Sequence, residues 1–334
     1  MRQTSQASTI ETLKQDEKIA NWIGYLAEIG PSPEALPIPD ERDLRARFAY
    51  LAVPPDDLET LVALRPTIAN DPDLLWILDR AVHSLTLNLD VVATVPGFPV
   101  LPTSLGEIAD FFYVYVYAMA LPATLALHER HGVPSAVSEA TMADIGRNML
   151  VHRKRHGRHG LAAPDWLMLH ARGMIFQFGR LQFERAKLGT RTGDAIQAAG
   201  FPFRTGDPTL SIHIPDFMGS MSVEACDESF AAARAFFPAH YPDEDVRTAV
   251  CNSWILDPQL RDYLRLDSNI LRFQDRFTEI RPAEWTNDGP LRFVFGPTDL
   301  PLEDYPQRSS VERAVVGHIA AGKNWHGGMG WLKF

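Results

Sequence analysis

Cysteine is nearly absent: Cys226 and Cys251 are the only two among 334 residues. That excludes a disulfide framework and suits a reducing, cytoplasmic compartment. Positive charge is also in short supply. Lys and Arg number 32 against 42 Asp and Glu, for a net charge of −10, which excludes a broad nucleic-acid-binding surface while allowing a local basic patch. Long apolar runs are missing too. The longest uncharged stretch, Phe111–Leu127, has 17 residues, contains Tyr113, Tyr115 and Tyr117, and is interrupted by Pro122. It reads as a buried central helix rather than a membrane span. Met1–Lys18 is polar and lacks the apolar core of a signal peptide. Standard nucleotide and metal motifs fail on inspection. No GxGxxG follows a strand. Gly317–Lys323 with Asn324 approaches a phosphate loop but lacks the Ser/Thr and sits at a helix end, where Gly322 reads as a C-cap. His128-Glu129-Arg130-His131 has the wrong spacing for a zinc protease.

What remains is an ordinary globular composition, 46% hydrophobic and 22% charged, in a length that suggests about two domains. Residues 10 to about 150 read as helices. Ile19, Trp22, Ile23, Leu26 and Ile29 share one helical face, and Asp71-Pro72 opens a helix through Leu75, Leu78, Val82 and Leu85. Ser104 reads as the cap of the helix carrying the long apolar run, and Ser138–Leu150 as a further helix. No strand or internal repeat is evident there. A linker is expected around Gly157–Asp165. Beyond it the period changes. Met174–Glu184 reads as a strand with Gly179 at a bulge, Thr209–Ile214 alternates cleanly, and Thr248–Leu256 reads as a buried strand. Ser222–His240 and Asn269–Phe277 read as helices, Leu291–Phe295 as a strand, Ser310–Ala321 as a helix, and Trp331–Phe334 as a last short strand. Mixed strands and helices imply a layered α/β or α+β fold.

Three constellations could carry chemistry. Val151–Gly160 holds Arg153, Lys154, Arg155 and Arg158 with His152, His156 and His159 between them. Three imidazoles on one helical face could hold a metal, but the surrounding cations oppose it. A solvated helix end or an anion site around Arg153, Arg155 and Arg158 suits the composition better. The second constellation is strand–loop–helix. After Leu210–Ile214 come Gly219, Ser220 and Met221, then Ser222 as N-cap, and a helix start of this kind offers free N–H groups to a phosphate. Every capped helix shares those donors, so a plain βα loop stays open. The third is Cys251-Asn252-Ser253-Trp254. Cys251 or Ser253 could act as a nucleophile beside a base, although a buried cysteine more often simply fills core space.

Several strings in the C-terminal half are more specific: Trp166–Phe183, Ser211–Pro215 (SIHIP), Cys226–Phe237, Cys251–Leu260 (CNSWILDPQL) and Asp267–Phe277 (DSNILRFQDRF). In order and wording they resemble the GNAT-like C-terminal domain of bacterial acyltransferases that carry a helical acyltransferase-type domain ahead of it. The N-terminal half resembles that domain more loosely, and the likeness runs from about residue 40 to the end. It implies an α+β chain, with a helical N-terminal domain over residues 1–157 and a GNAT-like α/β domain with a mixed sheet over residues 158–334. It also implies acyl transfer by direct attack from a thioester co-substrate, coenzyme A or an acyl carrier protein, to an amine or hydroxyl of a small-molecule acceptor. Neither metal, membrane nor nucleic acid is expected. The family's diphosphate loop, Arg/Gln-x-x-Gly-x-Gly/Ala, is replaced by Asp216–Met221, which leaves both donors open. Transfer needs a base, hydrogen-bond donors for the carbonyl and an acid for the thiolate. His213 and Glu184 are the base candidates, and Ser253 and Asn269 the candidate donors. Asn269 is equally placed to cap its helix. A non-catalytic ligand-binding module of the same fold is the alternative.

Overall fold

The computed structural model describes residues 8–34, 36–93, 95–280, 287–296 and 299–334. The first seven residues of the polar N-terminal stretch lie outside these. The chain divides into two compact units, Met1–Met174 and Ile175–Phe334. The division falls later than residue 157 because a helix that starts at the end of the expected linker region, Pro164–Ala171, buries Leu167, Met168 and Ala171 in the core of the first unit.

Among its described residues the first unit is helical throughout. Its centre is the helix Glu107–Arg130, which holds the long apolar run and buries every residue from Phe111 to Leu121. It is long and apolar enough to cross a membrane, but 72% of its most apolar window lies inside the protein. Each tyrosine of the run finds an acceptor for its hydroxyl: Tyr113 donates to the Pro99 carbonyl at 2.6 Å, Tyr115 to Leu61 at 2.5 Å, and Tyr117 to Pro164. Burial without such partners would cost roughly 1–3 kcal/mol per hydroxyl. Pro122 has no N–H, so the Ala118 carbonyl one turn earlier loses its helical donor. The Arg47 guanidinium replaces it at 3.0 Å. Ser104 does not cap this helix. Thr103–Leu105 forms a 3-10 turn, and Gly106, at φ +58°, leads into the helix without a side-chain cap. Arg172 closes the end of Pro72–Thr86 by donating to the carbonyls of Ser84, Leu85, Leu87 and Asn88. The expected helix Ser138–Leu150 is two, Ser135–Met142 and Asp144–His156.

The second unit is built on six strands: β1 Ile175–Phe178, β2 Leu181–Lys187, β3 Pro208–His213, β4 Thr248–Asn252, β5 Thr278–Ile280 and β6 Met329–Lys333. Their order across the sheet is β1-β2-β3-β4-β6-β5, with β3 and β4 parallel and every other pair antiparallel. The stretch Met174–Glu184 is thus a hairpin. Gly179, at φ +54°, supplies the turn instead of a bulge. The helix Val223–His240 packs Phe230, Phe236 and Phe237 on one face of the sheet, against Phe176, Phe178 and Phe183. On the other face the helix Thr190–Ala198 joins Ile196 to Leu188, Ile280 and Trp331. Leu291–Phe295 is not a strand. It belongs to the helix Asp288–Val294, which turns Leu291 toward Tyr305, Val315 and Val316 and leaves Phe293 exposed.

Candidate active site

Two of the residues singled out above meet on the sheet. His213 ends β3 and Glu184 lies on β2. The antiparallel register pairs Gln182 with His213 and Glu184 with Ser211. Side chains alternate along a strand, so all four share one face. Diagonal neighbours on such a face stay within reach of long side chains. The His213 Nε2 lies 2.8 Å from Glu184 Oε2. About a quarter of each side chain is open to solvent, 25% and 22%, so an incoming molecule can reach the pair. A carboxylate only accepts hydrogen bonds, so Nε2 carries the hydrogen and Nδ1 is the basic nitrogen of the neutral ring.

Beside this pair the bonding between β3 and β4 ends. Pairing between the parallel strands covers Leu210 with Ala249 and Ser211 with Val250, and stops there. Two residues further on, His213 and Asn252 occupy corresponding positions on the same face, at the ends of strands that are no longer paired. Asn252 is exposed. Asn252 is not among the sequence candidates, although the alternation of Thr248–Asn252 sets it apart from Cys251.

Those neighbours are placed differently. Cys251 faces the helix-covered core with no exposure, and burial pushes its thiol up to about 12. At neutral pH it is protonated and unreachable, so the sequence expectation of a cysteine nucleophile is corrected. Ser253 lies past the end of β4, where the chain enters a 3-10 turn. Its N–H donates to the Gly328 carbonyl at 2.9 Å. No imidazole or carboxylate among the described residues bonds its hydroxyl, so a serine nucleophile has no base.

The loop after β3 carries the chain to the helix Val223–His240. Phe217 and Gly219 both have left-handed backbone, at φ +59° and +75°. The left-handed backbone alone favours glycine at 219, since a Cβ there would meet nothing within 4 Å. Ser222 caps the helix, accepting from the Ala225 N–H at 3.2 Å. Met221 completes the approach to that cap and is half-buried. Asn269 does not cap its own helix, Asn269–Gln274. Ser268 does so, while the Asn269 amide donates to Ser220 Oγ at 2.9 Å and ties the loop in place.

The basic stretch belongs to the first unit and is largely neutralised within it. Arg153 pairs with Asp56 at 3.0 Å and Asp57 at 2.7 Å, and Arg158 pairs with Asp110. Carboxylates therefore occupy the guanidinium groups expected to hold an anion, and Arg155 is half-buried and engaged. The His152 and His156 rings lie 4.5 Å apart at a tilt of 46°, and His159 stacks on Phe111. Among the described residues no three potential metal ligands converge.

A mixed sheet with its one parallel pair at the centre, and a capped helix following one of those strands, matches a GNAT-like domain. Comparison with known proteins agrees. Residues 175–332 match the GNAT-like C-terminal domain, and residues 42–173 match the N-acyltransferase N-terminal domain. No curated protein matches the chain. Among solved structures, an acyltransferase in complex with decanoyl-CoA is 35% identical, covers 97% of this chain and 99% of its own, and superposes with a TM-score of 0.86. An acyltransferase mutant in complex with octanoyl-CoA is 34% identical over 98% of both chains, with a TM-score of 0.88. An acyltransferase in complex with decanoyl-CoA and teicoplanin is 36% identical over 97% of this chain and 99% of its own, with a TM-score of 0.86. The chain belongs to this family of GNAT-like acyltransferases with an N-acyltransferase N-terminal domain.

Proposed function

We propose that the protein transfers a medium-length acyl group from coenzyme A to an amine or hydroxyl of a small-molecule acceptor, by direct attack on the thioester. The observation that carries the reading is the bond of 2.8 Å between His213 and Glu184, beside the point where the pairing of β3 and β4 ends. His213 Nδ1 removes the proton from the acceptor nitrogen or oxygen as it bonds to the acyl carbon. The Glu184 carboxylate holds the ring in the required tautomer and stabilises the imidazolium that forms. The bond from acyl carbon to sulfur then breaks, and coenzyme A leaves as the thiol after taking up a proton. The amide of Asn252 and the loop Gly219–Ser222, tied down by Asn269, are the candidate contacts for the donor. The relatives that hold decanoyl- or octanoyl-CoA and teicoplanin support the choice of donor and the size of acceptor.

The test is turnover of decanoyl-CoA with teicoplanin as the trial acceptor, followed by mass spectrometry of the acceptor. The expected product is the singly decanoylated acceptor together with free coenzyme A. Intact-mass spectra of the protein during turnover are expected to show no acyl adduct. An adduct that disappears in Cys251→Ala or Ser253→Ala overturns direct attack. Binding of decanoyl-CoA without transfer to any amine or hydroxyl acceptor favours a ligand-binding module. Decanoyl-loaded acyl carrier protein, offered in place of decanoyl-CoA, tests the carrier as donor.

A further inference from the structure

The loop that approaches the helix N-terminus, Asp216–Met221, contains no basic residue and one acid, Asp216. A coenzyme A diphosphate brought there would meet backbone N–H groups but no cation from the loop itself. The neighbouring β1–β2 turn supplies one. Because Gln182 pairs with His213, the turn residue Arg180 lies at the same end of the sheet as Pro215. Its backbone N–H donates to Ser229 Oγ on the helix Val223–His240 at 3.0 Å. Its Nη1 donates to the Pro215 carbonyl, at the start of the loop, at 3.1 Å. Its charge also acts on the thiol of Cys226, in the first turns of that helix.

Arg180 is unusual among its neighbours. Arg185 pairs with Glu244, Arg276 with Asp227 and Arg261 with Asp275. Arg180 has no carboxylate partner among the described residues, and Asp216 acts on it from beyond ion-pair distance. Its Nε is fully buried without a hydrogen-bond partner. A guanidinium has five donor hydrogens, and its bonding here is one carbonyl. Burial lowers its pKa, as expected for a charge taken from water without a counter-ion. The side chain is half-buried, and a charge partly withdrawn from water with one carbonyl for a partner favours an anion beside it.

We infer that Arg180 is the cation that receives the diphosphate of the acyl donor, delivered from the β1–β2 turn in place of a basic residue in the loop. The inference rests on the reading above that the donor is a coenzyme A thioester. A guanidinium can bind two phosphate oxygens at once, and such charge-assisted bonds are about twice as strong as neutral ones. The N-terminus of the helix Val223–His240 favours the same negative charge.

The test compares two donors. Decanoyl-CoA carries the diphosphate, whereas S-decanoyl-N-acetylcysteamine presents the same thioester without it. In Arg180→Gln the ratio of kcat/KM for decanoyl-CoA to that for the short thioester is expected to fall by about tenfold or more, chiefly through KM. Arg180→Lys should recover part of the loss. In the wild type, KM for decanoyl-CoA should rise with salt more steeply than in Arg180→Gln. An unchanged donor ratio overturns the assignment, because a guanidinium that merely braces the Pro215 loop would affect both donors alike. If Arg180→Gln does not fold, Arg180→Met, which keeps the stem of the side chain without its charge, carries the same comparison. If the wild type transfers from neither donor, the functional reading fails by itself. Calorimetric binding of coenzyme A to wild type and Arg180→Gln then still decides the arginine's role, equal affinities overturning it.

Discussion

A histidine on a strand is an ordinary polar residue until something fixes its ring. Alternation within Leu210–Ile214 placed His213 on the polar side of its strand, and Glu184 was visible as a charge near a strand end. Their contact was not legible, because it depends on the register between β2 and β3, which no local pattern encodes. If the contact matters as argued, Glu184→Gln should lower kcat by about 10- to 100-fold with KM for the donor nearly unchanged, and Glu184→Asp should recover part of the loss. Cysteine chemistry gives the opposite expectation. Both thiols are buried and pushed upward in pKa by desolvation, so native protein should show almost no thiol reactive to a disulfide reagent at pH 8. Denatured protein should show both. Rapid labelling of Cys251 in the native state would contradict its placement. Cys251→Ala should keep catalytic activity within a fewfold of wild type.

A buried imidazole in the first unit makes stability depend on pH. His128 bonds Ser138 Oγ at 2.7 Å. Burial, with a smaller contribution from His131, lowers its pKa from 6.5 to about 4. The unfolded chain therefore binds this proton more readily than the folded one. The stability from the neutral ring is complete above about pH 6.5 and is lost as pH falls toward 4. The loss is on the order of 2–3 kcal/mol from this group. Denaturant titrations from pH 7 to pH 4 should show that slope, and His128→Asn should flatten it. An equal slope in the variant would contradict the assignment.

At the scale of elements, capping chemistry was legible in part, failing at Ser104 and Asn269. Asp71 caps the helix at Pro72, and Ser222 caps the helix at Val223, because these choices are local. Elements shorter than two turns were not legible. Leu291–Phe295 offers five residues in which alternation and helical spacing both fit, and the packing of Leu291 against Val315 and Tyr305 decides for the helix. The helix Thr190–Ala198 escaped because its buried side is small: Thr192, Gly193 and Ile196. Close backbone approaches were equally hidden. Gly146 sits where the helix Asp144–His156 meets the chain after Glu41–Tyr50. Its N–H donates to the Leu51 carbonyl at 2.9 Å, and a Cβ there would stand 1.9 Å from the Ala52 oxygen. Gly146→Ala should therefore cost about 2 kcal/mol or more in chemical denaturation. A loss below about 0.5 kcal/mol would show that the approach relaxes freely.

For the whole molecule, the change of period along the chain announced two units, and the resemblance named the second correctly. The division after Met174 could not be read from composition, because Pro164–Ala171 is helical like the unit it completes. The basic stretch was the most conspicuous charge feature in the sequence. It binds its own unit's aspartates, since Asp56, Asp57 and Asp110 are far away in sequence and their approach is a tertiary fact. The family membership supports acyl transfer, and the proposal above assigns the acceptor's proton to His213. The most direct test is steady-state transfer from decanoyl-CoA by His213→Ala beside wild type, with thermal unfolding measured on both. The account expects kcat/KM to fall by at least about 100-fold with the melting temperature nearly unchanged. A folded His213→Ala variant that keeps activity within about twofold of wild type would contradict it.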